Sequence, residues 1–329
     1  MEASNFLIIF IILLALLFDF SNGFHDAGNA IATIVATGVL TPLQAVLWAA
    51  FFNFIAFLLL KLAVAKTIGV GLIHPDFISP YLIGSALTSA LVWNVMTWYY
   101  GLPSSSSHAL IGGLAGAAFV TGGMGALELL NFMKVIAAIF ITPFVGLTIG
   151  LGLTILMKKA TASKGEKEKL RWFKPLQLLS SALLCITHGG NDAQKTMGII
   201  AVLLYSNSQL GNHFYIPLWI VITCHFMIAL GTLFGGWRIV YTMGEKITKL
   251  NPLRGCCAEV GASLVIFAAT DFGVPVSTTH IVTGAIAGVG ISESFWGTNW
   301  GMMRAIFLTW ILTVPVTAAI AAIIMTNLL

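Results

Sequence analysis

The sequence predicts an all-α polytopic membrane protein of two inverted-topology repeats, with broken helices and proline-led half-helices meeting at a midplane site. Three observations predict it. The 329 residues are 58% hydrophobic and only 9% charged, against a charged share of about 25% in soluble domains. A basic stretch divides the apolar sequence into two halves, and two polar motifs of the first half return in the second.

Apolar runs of spanning length fall at 5–38, 43–64, 79–100, 103–121 and 133–157, then at 174–204, 215–240, 257–273, 275–292 and 302–327. The first run of each set exceeds one span and is interrupted by polar residues, at 22–29 and 188–195. Each is read as a broken helix, although two separate spans would change the count. The start has no basic n-region and no small-residue cleavage site, which argues against a cleaved signal. The four cysteines suit no zinc site and read as small hydrophobes.

Residues 1–157 form the first repeat, 158–174 a linker and 175–329 the second repeat. The linker carries seven of the sixteen Lys and Arg residues against two Glu, so the positive-inside rule places it in the cytoplasm. Arg238, Lys246, Lys249 and Arg254 follow two spans later and return to the same side. The net charge of +4 reflects this loop placement and gives no reason to expect nucleic acid. Five spans per half put both termini outside and make the halves enter the membrane from opposite faces, as in many secondary transporters.

GLPSSSSHALIGGLAG (101–116) matches GVPVSTTHIVTGAIAG (273–288) at seven of sixteen positions, 172 residues apart. A proline followed by hydroxyl side chains and a small apolar run reads as a helix start. Such an end carries about half a positive charge and binds anions. Ser105, Ser106, Ser107, Ser277, Thr278 and Thr279 therefore offer a tetrahedral oxyanion many neutral donors, two helix N-termini and no carboxylate directly beside it. Gln194 is placed to donate across. Gly112, Gly116, Gly284 and Gly288 are spaced for close helix packing.

The second pair, GFHDAGNA (23–30) and GGNDAQKT (189–196), recurs after 166 residues with Asp26 and Asp192 in register. An intramembrane aspartate costs roughly 2.5–3.5 kcal/mol, so a repeated one calls for a partner. Asp26, Asn29, Asn191 and Asp192 supply oxygens suited to sodium. His25, Lys195, His108, His280 and Glu259 are candidates for coupling or relay. Lys195, standing where the first copy has Asn29, either contacts the anion or neutralises Asp192, and Glu259 is a gate or a cytoplasmic-rim residue. A Ser107–His108 hydrolase is disfavoured, since neighbours on a helix do not face each other.

These motifs resemble the inorganic phosphate transporter (PiT) family over essentially the whole chain, with GGND followed by QK looking like its bacterial and archaeal branch. The resemblance implies cation-coupled import of inorganic phosphate across the plasma (inner) membrane, without an enzyme activity or a cofactor, and with the duplicated Asp motifs involved in coupling. His25, where many members carry Asn, and Asn53, where eukaryotic members often carry Glu, leave sodium and protons both open as coupling ions. Some relatives carry sulfate, a homodimer suits such a transporter, and a channel is the other class that broken helices and carboxylates allow.

Overall fold

The computed structural model describes residues 2–211 and 213–329, and the described residues are helical with no strand. In order, the helices are α1 (Glu2–His25), α2 (Ala27–Ala36), α3 (Pro42–Ile55), α4 (Ala63–Val70), α5 (Pro80–Tyr99), α6 (Ser106–Gly122) and α7 (Leu129–Ala160). The second half continues with α8 (Glu166–Ser206), α9 (Leu218–Phe234), α10 (Trp237–Tyr241), α11 (Pro252–Asp271), α12 (Thr278–Ile291) and α13 (Trp300–Thr326). Five of these elements are long and apolar enough to cross a bilayer, and seven if each bent pair counts as one. At about 1.5 Å per residue, the 14-residue α12 falls short of a hydrocarbon core of about 30 Å.

Of the two expected breaks the first is present but slight, and the second is missing. Asp26 interrupts α1 and α2 by a single residue, and its amide still donates to Asn22 O at 2.8 Å. The expected break at 188–195 is absent, because α8 runs unbroken through it. Most of its polar side chains find partners inside the protein, such as Gln194 Nε2 to Gly190 O at 2.9 Å and Asn191 Nδ2 to Thr270 Oγ1 at 2.8 Å, so the backbone need not open. The sharp bends come one element later, 79° between α3 and α4 and 67° between α9 and α10. At the second, Gly235 and Gly236 are a visible breaker, whereas 59–62 has no such residue.

The prolines are also displaced from their expected place. Ser105 and Ser277 are the N-caps, their side chains accepting from His108 N and His280 N, each at 3.2 Å. Pro103 and Pro275 therefore lie in the extended lead-in, two residues before the caps. Proline at the first helical turn occurs instead in α3, α5 and α11.

The halves interlock. Helix α6 packs along α13 and α12 along α7, while α5 and α11 complete the two hairpins. Small residues let these backbones touch: a Cβ at Gly116 would sit 2.0 Å from Ala318 O, and one at Gly288 2.1 Å from Leu147 O. Each bent pair also holds the tip of the other half's hairpin. Thr67 donates to Gly273 O and Thr242 to Gly101 O, both at 2.8 Å. Gly101 and Gly273 have φ of 64° and 69°, which favours glycine. Beside these tips, Lys61 pairs with Asp271 at 2.8 Å and Arg238 donates to Tyr99 O. Apolar side chains gather in two clusters, one around α1, α5, α6 and α9, the other around α2, α11 and α12. The polar residues of α1 and α8 lie at the seam between them.

Candidate functional site

The end of α1, the middle of α8 and the starts of α6 and α12 deliver their polar side chains to one buried place. Asp26 Oδ1 hydrogen-bonds His25 Nδ1 at 2.9 Å and accepts from Thr279 Oγ1 at 3.4 Å. Ser106 Oγ lies 3.2 Å from Asp26 Oδ2 and 2.5 Å from Asn22 Oδ1, and its one proton serves one of them at a time. Asp26 makes no side-chain cap to α2, so helix capping does not account for it. His25 Nε2 reaches Thr97 Oγ1 at 3.0 Å and Ser104 Oγ at 3.4 Å.

Asp192 is held differently. Its Oδ1 accepts from Lys195 Nζ at 2.5 Å and its Oδ2 from Thr278 Oγ1 at 3.1 Å. The Lys195 ammonium also donates to Ser107 Oγ and to Val276 O, the latter at 3.0 Å. His188 Nε2 lies 3.2 Å from Asp192 Oδ2, without hydrogen-bond geometry. Ligand atoms of Asp26, His188 and Asp192 all lie within 4.8 Å of one another.

Two carboxylates thus share one lysine ammonium in a buried site, and among the described residues Asp26 has no Lys or Arg beside it to balance an ionised charge. Such a charge is costly in low dielectric. Two further oxygens, Asn29 Oδ1 and Asn191 Oδ1, are buried with no hydrogen-bond partner, although the amide nitrogens are engaged, with Thr279 Oγ1 at 2.9 Å and Thr270 Oγ1 at 2.8 Å. This donor set of carboxylate, amide and hydroxyl oxygens fits a hard cation.

The structure departs from the sequence-based picture in four places. The hydroxyls of α6 and α12 were expected to face an anion with no carboxylate beside them, yet Ser106, Thr278 and Thr279 bond Asp26 and Asp192 directly. The reason is that α1 and α8 cross both helix starts at the same level. Ser105 and Ser277 turn back to cap their own helices. Gln194 belongs to a different contact, its Oε1 accepting from Val64 N at 3.0 Å and Ala65 N at 3.3 Å, which caps α4. Glu259 is not a rim residue: it is fully buried and accepts from Thr33 at 2.6 Å, Gln177 at 3.0 Å and Ser180.

His108 and His280 meet edge to face at 4.4 Å, and His280 stacks on Trp310 at 3.8 Å. Neither ring nitrogen of His108 has a partner, so the structure contains no Ser107–His108 hydrogen bond. Sequence reasoning overlooked Asp19, which is fully buried, accepts from Thr196 at 2.9 Å and leaves Oδ2 unpartnered. The signal was available: positions 19, 22 and 26 fall on one face of α1.

A multi-pass helical membrane protein with paired hydroxyl-bearing helix starts around two buried aspartates has the form of a transporter. Residues 22–170 and 159–321 match the Phosphate transporter family, described by that name. The chain is 51% identical over 317 residues to a probable low-affinity inorganic phosphate transporter of Rhizobium meliloti, covering 96% of this chain and 95% of that one. It is 40% identical over 330 residues to one so named in Bacillus subtilis, covering 98% and 97%. A solved structure titled "The sodium-dependent phosphate transporter" superposes with a TM-score of 0.86 at 25% identity, covering 98% of each chain. The chain belongs to the Phosphate transporter family, and it is a phosphate transporter and not an enzyme.

Proposed function

We propose that the chain imports inorganic phosphate by sodium symport through alternating access, across the plasma membrane and with the 158–174 linker in the cytoplasm. The observation that carries this reading is the Asp26–His188–Asp192 cluster, whose two buried carboxylates share one lysine. Sodium there offsets the buried negative charge, with Asp26, Asp192, Asn29 and Asn191 as oxygen ligands. Once sodium holds the carboxylates, Ser106, Ser107, Thr278 and Thr279 are released to donate to phosphate. Lys195, shared between Asp192 and Ser107, links the two events. The superposed sodium-dependent phosphate transporter lends support to the choice of ion.

Support for inverted repeats comes from the matched tip contacts, Thr67 to Gly273 and Thr242 to Gly101. A proton-coupled reading is favoured by one observation, the Asp26–His25–Thr97 chain, which is built like a relay. The deciding experiment is radiolabelled phosphate uptake into proteoliposomes under a sodium gradient, a proton gradient or neither. Accumulation above equilibrium with sodium alone is expected. Accumulation with protons alone moves the coupling role to His25 and Asp26, and equilibration without any gradient dependence overturns symport.

A further inference from the structure

A sizeable cavity lies away from the central site. It measures about 550 Å³ at the basic end of the molecule, where α7 ends and α8 and α11 begin. Its charged lining is Lys158, Lys167, Lys169 and Arg254 against Glu166 and Glu293, which leaves two positive charges uncompensated. A volume of this size matches small-molecule sites of about 300–1,000 Å³.

The arrangement of Glu293 shows what the cavity selects. Its carboxylate sits 2.8 Å from Lys158 Nζ but 3.8 Å from Arg254 Nη2, so it satisfies one cation well and the other poorly. Arg254 lines the cavity; its Nε is buried with no partner, while its Nη1 is taken by Lys249 O at 2.7 Å. Lys167 forms no ion pair among the described residues, and Lys169 reaches Glu166 only at 3.4 Å. A guanidinium presents its donors as a fork suited to phosphate oxygens, and here half of that fork is idle. A single carboxylate therefore occupies the edge of a seat whose charge and donors exceed it.

We propose that this cavity binds a phosphorylated polyanion, either a soluble oligophosphate or the phosphate headgroup of an anionic lipid, through Arg254, Lys167 and Lys169, with Glu293 competing for the same cations. The site is separate from the Asp26–Asp192 centre, so the proposal stands or falls independently of sodium coupling. It would let the phosphate status on that side of the membrane act on the junction of α7, α8 and α11.

The test is calorimetric titration of tripolyphosphate into the detergent-solubilised protein, with inorganic phosphate saturating to keep the central site filled. A second arm counts phosphatidylglycerol retained by the purified protein in mass spectrometry. The Lys167→Gln/Lys169→Gln variant is expected to weaken binding roughly fivefold or more, and Glu293→Gln to tighten it by roughly the same factor, as expected of one partly exposed charge contact. Both changes lie at or near the surface, and a thermal midpoint shifted by no more than the loss of one surface ion pair verifies the fold. Charge-dependent binding in the first arm alone assigns a soluble ligand, and in the second alone a lipid headgroup. Binding absent from both arms, or unmoved by either variant, overturns the proposal.

Discussion

The two halves bring an aspartate to the same spot and hold it by different means. Among the described residues Asp26 has no lysine or arginine beside it, and it hydrogen-bonds His25, Ser106 and Thr279. Asp192 is paired with the Lys195 ammonium, one helical turn further on. The difference traces to one pair of equivalent residues, Asn29 in the first copy and Lys195 in the second. It teaches that the duplicated motif is not held alike in its two copies: one carboxylate is paired with a lysine, and the other with the His25 ring and two hydroxyls.

The largest expected effects come from breaking that asymmetry. Asp192→Asn leaves Lys195 buried and unpaired, which should cost about 3–5 kcal/mol of stability. Asp26→Asn removes a carboxylate that has no lysine partner and should cost about 1–3 kcal/mol at most, while abolishing sodium-driven uptake. Unfolding of the two variants in detergent measures the gap. Adding Lys195→Gln to Asp192→Asn should restore much of the loss, since it removes the stranded charge. Equal destabilisation by the two single changes would show that the halves are balanced alike.

The central elements of this contrast were legible in the sequence. Asp26 and Asp192 stand in matched motifs, and the hydroxyl runs mark real helix starts capped by Ser105 and Ser277. What spacing could not give was the meeting of one element with another. Nothing in the order of residues puts Ser106 against Asp26, or sends Gln194 to the amides of α4. The polar stretch at 188–195 looked like a helix break because its residues are costly in lipid, but inside the protein they find partners and α8 stays whole. The bend after α9 was written in Gly235 and Gly236, whereas the bend after α3 falls in 59–62, a stretch with no glycine or proline. Buried Glu259 was ambiguous for the same reason: its partners Thr33, Gln177 and Ser180 come from α2 and α8.

A second comparison sets the two hairpin tips side by side. Gly101 and Gly273 share a positive φ, and a Cβ at either would come to 3.3 Å from a carbonyl, of Arg238 in one case and Ala63 in the other. Alanine at either position should therefore destabilise by roughly 1–2 kcal/mol, equally for both. The charges beside the tips differ. Lys61 and Asp271 form an exposed ion pair, whereas Arg238 donates to a backbone oxygen and lies over the Trp98 and Tyr99 rings at 5.3 and 5.1 Å. Lys61→Gln should cost less than about 1 kcal/mol, with the loss shrinking in high salt. A salt-independent loss of the same size in both Lys61→Gln and Arg238→Gln would remove the distinction between the tips.

The smallest effect concerns Glu293, and its sign follows from the contacts. The hydrogen bond from Lys158, with help from the Arg254 charge, holds the Glu293 carboxyl below its ordinary value of 4.5. A lowered value in the folded protein means that the ionised form is favoured by folding. The contribution is therefore complete above about pH 4.5 and disappears as the pH falls through the depressed value, when the carboxylate takes up its proton. Because the carboxylate is half-exposed, the surface-pair range of below about 1 kcal/mol applies. The thermal midpoints of wild type and Glu293→Gln should differ slightly at neutral pH and converge below pH 4.5. A gap that stays constant with pH would mean that the Glu293 contacts with Lys158 and Arg254 contribute nothing through charge, and that the residue acts at the α7–α11 junction by shape alone.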